Sequence, residues 1–356
     1  VSSAEIRFGI IGAGVAGRYH AQAIVQTPGA RLVAVCAGRP ERAAALAEAF
    51  GASVEPNAEA LLARNDIDAV CICTPSGQHA AQGIAAAHAG KHVLVEKPIA
   101  ITLADADALI DACRAAGVHL GVALQRRTDP EFRAARDAIA AGALGRMVLG
   151  AITIPYLRTQ AYYDSADWRG TWALDGGGAL MNQGIHLLDL LLWLMDDDVV
   201  EVQAYTTTLA RAIEVEDCVS AALRFAGGAL GSIAATTAVA PGFPHRVEVY
   251  GTHGGLQIEG EAIVRWETAD ESTVSAPRIA TGGAGRQEAG AGALPTGISA
   301  LGHTRILHDF VAAIRDRRAP LVTGEEARRA LSVALAVYES ARTGRAARPT
   351  IGGRPA

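Results

Sequence analysis

The sequence predicts an α/β domain followed by an α+β domain. Residues 1–124 read as a doubly wound parallel sheet, and residues 125–356 as an open-faced mixed, largely antiparallel sheet with helices on one face. Three observations carry this reading. Short apolar runs alternate with alanine-rich helical stretches through the first third of the chain, the pattern of βαβ units. A glycine-rich turn closes the first of those runs. Past residue 125, strand-like runs follow one another through glycine turns such as Gly227-Gly228 and Gly254-Gly255, as antiparallel neighbours require.

Taken in order, residues 6–11, 31–36, 69–73 and 92–95 form short buried strands. Helices are expected over 39–50, 78–89 and 102–116, and a last strand over 118–123. The second domain offers strands at 147–155, 199–209, 219–225, 229–237, 246–251 and 256–266. Helices near 129–141 and at 179–194 interrupt them, and a final pair at 303–317 and 324–343 packs back on the body. Residues 281–297 are rich in glycine and poor in apolar anchors, so they read as a loop or an active-site flap.

Composition narrows the function. In 356 residues half are hydrophobic, 19% are charged and the formal charge is -5, with no basic block of the kind that holds nucleic acid. Residues 187–195 are apolar but contain Asp189 and are too few to cross a bilayer. Cys71 and Cys73 alternate with Val70 and Ile72, which makes them small core residues; no second cluster completes a zinc set, and no metal is expected. With no disulfide framework and no signal-like leader before residue 6, the expectation is a cytoplasmic protein.

The chemistry begins at Gly12-Ala13-Gly14-Val15-Ala16-Gly17, between a strand and a helix. Gly12 allows the tight turn, Gly14 leaves room for a pyrophosphate, and Gly17 lets helix and strand approach. Backbone N–H groups of this turn, Val15 and Ala16 included, would meet the phosphates of a dinucleotide at the helix's positive end. An NAD site usually adds a carboxylate after the second strand. Here Cys36-Ala37-Gly38-Arg39 stands there instead, so Arg39 favours a 2′-phosphate and NADP over NAD; its alternative is a solvated first-turn arginine. Thr74 and Pro75 follow the next strand into the same crevice, His79 comes soon after, and Gln125 follows the last strand of this domain. Glu96-Lys97-Pro98 ends the apolar run at 92–95, which puts Lys97 where such sheets bind ligands. Beside a nicotinamide it would handle the proton of a reacting hydroxyl, with Glu96 orienting it or bearing on the nicotinamide.

In this order and spacing, the Gly12 turn, Thr74-Pro75 with His79, Glu96-Lys97-Pro98, Gly176-Gly177-Gly178 leading to His186, and the 308–314 and 338–341 stretches resemble the Gfo/Idh/MocA family. That resemblance, to the glucose–fructose oxidoreductase and inositol dehydrogenase group, covers nearly the whole chain. It implies a Rossmann domain, an open sheet domain that forms homodimers or homotetramers, and a substrate hydroxyl shared by Lys97 and His186. Many members carry aspartate where Asn182 stands. Asparagine positions a hydroxyl but is no base, and Asn182-Gln183-Gly184-Ile185-His186 is similar to the UDP-N-acetyl-2-amino-2-deoxyglucuronate 3-dehydrogenases. At i and i+4 on one helix, Asn182 and His186 would share a face.

Substrate contacts are expected from residues 156–172, where Tyr162, Tyr163, Trp168, Arg169 and Trp172 are dense for a chain with 5% aromatics. Aromatic faces stack on sugars and arginines grip anions. Arg126 and Arg127 are further anion-binding candidates. The reading is an NAD(P)-dependent oxidoreductase moving hydride between nicotinamide and a ring hydroxyl or ketone of a sugar, polyol or derivative. Two alternatives stay open: a redox-neutral NAD-dependent glycosidase, and a non-catalytic dinucleotide sensor.

Overall fold

A computed structural model describes residues 5–269 and 300–351; the segment 281–297, expected as a loop or flap, lies outside the described residues. By contacts the chain forms two units. Among the described residues, one holds 5–128 and 300–328, the other 129–269 and 329–351.

The first unit is built on β1 (Ile6–Ile11), β2 (Ala30–Cys36), β3 (Ser53–Val54), β4 (Ala69–Ile72), β5 (His92–Val95) and β6 (Leu120–Val122). All pair in parallel, in the order β3-β2-β1-β4-β5-β6. Strands buried on both faces need continuous apolar sequence, and Ala69-Val70-Cys71-Ile72 is wholly buried. The helices are α1 (Val15–Gln26), α2 (Pro40–Phe50), α3 (Ala58–Leu62), α4 (His79–His88) and α5 (Leu103–Ala116). Asn57 caps α3 by accepting from Ala60 N–H at 2.8 Å, and Thr102 caps α5 through Asp105 N–H at 3.1 Å. Strand order reverses between β1 and β4, which opens the ligand crevice at their carboxyl ends.

The second unit contains α6 (Pro130–Ala140), β7 (Met147–Pro155), α7 (Gln160–Tyr163), α8 (Ile185–Met195), β8 (Val199–Thr207), β9 (Cys218–Phe225), β10 (Leu230–Thr236), β11 (Arg246–Gly251), β12 (Gly254–Glu259) and β13 (Ala262–Thr268). Its sheet runs β13-β12-β11-β7-β10-β9-β8 and is antiparallel except where β7 pairs with β10. Alternate residues are buried along β9 and β10, so one face meets the core under α8 and the other faces outward.

Two expectations change. Residues 256–266 are not one strand: Gly260, at φ 58°, turns β12 into β13. Residues 179–194 are not one regular helix, because Ala179–Gly184 is π-helical and only Ile185–Met195 is α. Asn182 and His186 therefore do not have the i, i+4 relation of a single α-helix.

The last helices are α9 (Leu301–Asp316) and α10 (Gly324–Thr343). Leu307, Phe310 and Val311 of α9 join Phe8, Ile24 and Leu94 in one buried cluster of the first unit. Each large side chain so buried contributes about 2–3 kcal/mol. That packing brings His303 into the first unit. No described helix is long and apolar enough to cross a membrane.

Candidate active site

Two of the three fingerprint glycines are explained by the protein itself. Gly12 has φ 109°, and a Cβ there would strike the Cys73 carbonyl. A Cβ on Gly17 would strike the carbonyl of Gly12. Gly14 is different: a Cβ would meet nothing within 4 Å. It stands at the N-cap of α1, which no side chain caps, and Val15 is exposed beside it. Open space at an uncapped helix N-terminus fits a pyrophosphate. Orphaned polar atoms in the turns that follow β4 and β6 agree with a polar ligand: among the described residues the buried Thr74 Oγ1 and Gln125 Oε1 have no hydrogen-bond partner. Arg39 is the exposed N-cap residue of α2, at the carboxyl end of β2.

Lys97 is half-buried at the end of β5, and its backbone is gripped on both sides. Its N–H donates to Glu96 Oε2 at 3.1 Å. The next carbonyl, of Pro98, lies 2.7 Å from His79 Nδ1, while His79 Nε2 meets the Thr74 carbonyl at 3.0 Å. His79 is thus a buried brace between the ends of β4 and β5, and burial lowers its pKa. Glu96 is buried as well. Its Oε1 lies 2.9 Å from His20 Nε2 and 3.3 Å from His303 Nε2. Burial alone would raise the Glu96 carboxyl; the two histidines outweigh it and hold it well below the usual range.

In the second unit the Gly176-Gly177-Gly178 turn enters the π-helical segment, with Gly177 at φ 155°. The buried Glu216 carboxylate clasps the start of that segment, accepting from Gly178 N–H at 2.8 Å, Leu180 N–H at 2.9 Å and Tyr338 O–H at 2.9 Å. Burial pushes the Glu216 carboxyl up to about 7 against those three donors. Asn182 follows within the segment, donating through Nδ2 to Asp175 at 2.6 Å, and half-buried His186 lies in the first turn of α8. Irregular π turns recur at functional sites because they re-aim side chains.

Of the aromatic candidates, Tyr163 is buried with its hydroxyl 2.9 Å from Thr237 Oγ1, so its ring is core rather than a sugar platform. Arg169 lies over Trp168 at 4.6 Å and over Tyr162 at 4.3 Å, with its Nε buried and without a partner among the described residues. Gln183 Nε2 reaches Tyr162 Oη at 3.4 Å, and Trp172 is exposed with its ring against Tyr338. Buried Arg158 shares the same aromatic wall, 5.5 Å from the Tyr162 ring. Arg126 lies in the turn Gln125–Thr128 of the first unit. Arg127 is buried and paired with Glu326 at 2.9 Å, which corrects its reading as an open anion contact.

Comparison with known proteins settles the lineage. Residues 6–124 match the oxidoreductase family, NAD-binding Rossmann fold, and residues 132–257 match the GFO/IDH/MocA C-terminal domain. The chain belongs to the Gfo/Idh/MocA family. It is an oxidoreductase with an NAD-binding domain. A 1,5-anhydro-D-fructose reductase of Ensifer adhaerens is 34% identical over 96% of this chain and 98% of its own length. An inositol 2-dehydrogenase of Rhizobium meliloti is 33% identical over 77% and 82%. The WlbA dehydrogenase of Bordetella pertussis, solved with NADH and UDP-GlcNAcA, superimposes with TM-score 0.88 at 34% identity, covering 99% of this chain and 100% of that one.

Within this Gfo/Idh/MocA chain, sequence reasoning missed His20, His303, Asp175, Arg158 and Glu216, and took Tyr338 only as part of the 338–341 stretch. One signal for Lys97 was present in plain sight: the chain has only two lysines, Lys91 and Lys97, its other basic residues being arginine. Lys91 is structural, donating to the carbonyls of Arg64 and Ile67. No comparable signal marks His303.

Proposed function

We propose that this protein is a nicotinamide-dependent dehydrogenase that oxidises a ring hydroxyl of a sugar, polyol or sugar derivative to a ketone, or runs the reverse. The observation that carries the reading is the pairing, within one parallel sheet, of the open cradle at Gly14 with Lys97 at the end of β5. Gly12, Gly14, Val15, Ala16 and Gly17 would hold the dinucleotide, with Thr74, Pro75 and Gln125 lining it. Bound there, the nicotinamide supplies the hydride acceptor. Lys97 takes the hydroxyl proton, and its positive charge steadies the developing alkoxide oxygen. His186 relays that proton, and Asn182 positions the hydroxyl. Trp168 and Arg169 face the substrate, Arg169 offering its Nε to an anionic group.

Arg39 favours NADP over NAD, since an exposed guanidinium after β2 suits a 2′-phosphate. The likeness to a UDP-GlcNAcA-bound dehydrogenase puts nucleotide-linked uronates first among substrates to try. Self-association runs through the outward face of the second sheet, where Leu149 and Leu230 are paired in register and both exposed.

The test is incubation with NAD or NADP and a panel of hexoses, inositols, uronates and UDP-sugars, following the absorbance of reduced nicotinamide. Reduction with one substrate class is the expected result. Silence across the panel, with dinucleotide binding still measurable, would overturn the reading in favour of a redox-neutral enzyme or a sensor.

A further inference from the structure

Behind Lys97 lies a buried group that the proposed chemistry leaves unused. His20 on α1, Glu96 at the end of β5 and His303 on α9 bring one ring nitrogen each and a carboxylate oxygen within 4.8 Å of one another. All three residues are buried. His303 stacks on Tyr19 with ring centroids 5.2 Å apart and meets His20 edge-on at 5.3 Å. Such a trio can hold a metal ion or share hydrogen bonds, and the outer ring atoms decide between them. A metal-bound histidine nearly always donates its other N–H to an acceptor. Here the Nδ1 atoms of both His20 and His303 are buried with no partner among the described residues. Metal binding through Nε2 would leave two buried N–H donors unmet, whereas Nε2–H donation leaves only lone pairs at Nδ1.

We infer that His20 and His303 are positioning residues for Lys97: their Nε2–H groups hold Glu96 Oε1, which turns Oε2 onto the Lys97 N–H and fixes the turn that carries the lysine. Donation from a neutral His20 ring to the carboxylate is in keeping with the burial-lowered pKa of His20. Besides His20, His303 and the adjacent Lys97, the titratable groups coupled to Glu96 include Cys71 of β4, Cys73 just beyond it and His79 at the start of α4. Burial holds both thiols protonated and the His79 pKa low, so Glu96 supplies the anionic charge of the group. This inference rests on Lys97 being the proton-handling residue, but it is testable without any substrate.

The test uses the chain's two lysines. The intact protein is acylated with a limiting amine reagent across a pH series, and labelling of Lys97 and Lys91 is followed by peptide mass spectrometry. In His303→Phe the Glu96 charge loses a donor, so Lys97 holds its proton more tightly and labels at least about three-fold more slowly near neutral pH, a shift of about half a pH unit. His303→Gln keeps an N–H near the Nε2 position and restores the wild-type rate. Glu96→Gln, which is isosteric, acts with the opposite sign and speeds Lys97 labelling. Lys91 is unchanged throughout. An unmoved Lys97 in both His303→Phe and Glu96→Gln overturns the inference, as does a parallel change at Lys91 or stoichiometric metal in the purified protein. If Lys97→Ala kept full turnover while these labelling shifts were seen, the dehydrogenase mechanism would fail and the positioning network would stand.

Discussion

Asn182 Nδ2 donates to Asp175 Oδ1 at 2.6 Å, and Asp175 Oδ2 accepts from Gly170 N–H at 2.9 Å. Asp175 is buried. That pairing gives a reason for asparagine at position 182: an aspartate there would set two carboxylates against each other, and one would have to keep its proton.

Asn182→Asp is therefore expected to raise the apparent pKa of one of the pair. Activity should survive best at acid pH and fall as the second carboxyl ionises, with stability lost by about 1–3 kcal/mol at neutral pH. Turnover and melting measured across pH check this; an unchanged pH profile would remove the argument.

Lys97→Ala should lower turnover by about 100-fold or more while dinucleotide affinity stays near wild type, because the lysine is asked to move a proton and not to hold phosphates. Steady-state kinetics and fluorescence titration with the dinucleotide separate the two effects. Full turnover in this variant would sink the mechanism.

Gly14→Ala and Gly17→Ala should part company. At Gly14 the new methyl meets no protein atom, so stability stays within about 1 kcal/mol while dinucleotide affinity drops by about ten-fold or more. At Gly17 it meets the Gly12 carbonyl, and the fold itself loses about 1–3 kcal/mol. Thermal melts paired with calorimetric binding distinguish them; equal affinity in Gly14→Ala would mean the cradle is not a phosphate site.

Arg39→Ala should weaken NADP far more than NAD. Binding constants for both cofactors provide the check, and equal losses would dismiss the 2′-phosphate contact.

Glu216 ties stability to pH. Unfolded, its carboxyl ionises near its ordinary value of 4.5; folded, burial keeps the proton to about 7. Between those values the folded state binds more proton, so this group's contribution to stability falls as pH rises through the window and is level outside it. The full effect is about 3 kcal/mol at 1.36 kcal/mol per unit. Glu216→Gln should flatten that slope in denaturant melts from pH 4.5 to 7; an identical slope would show that Glu216 does not titrate there.

What the sequence by itself determined is the local grammar. Each buried parallel strand needs a continuous apolar run, and the first such run, 6–11, coincides with β1. Gly12 and Gly17 were legible because close backbone approach admits no other residue, and Lys97 because it ends a buried strand before a proline. Short elements such as β3 and α3 were not, since two to five residues carry too little periodicity to register. Tertiary structure alone decided the partners of the buried polar groups. His303 reaches Glu96 from 207 residues away, and Tyr338 reaches Glu216 from 122. Nothing in their neighbours announces them, because a buried donor or acceptor is satisfied by whatever the fold brings within hydrogen-bond reach. The π-helical turn at Ala179–Gly184 belongs to the same class. It depends on the Glu216 carboxylate clasping the segment's first N–H groups, a contact that local spacing does not record.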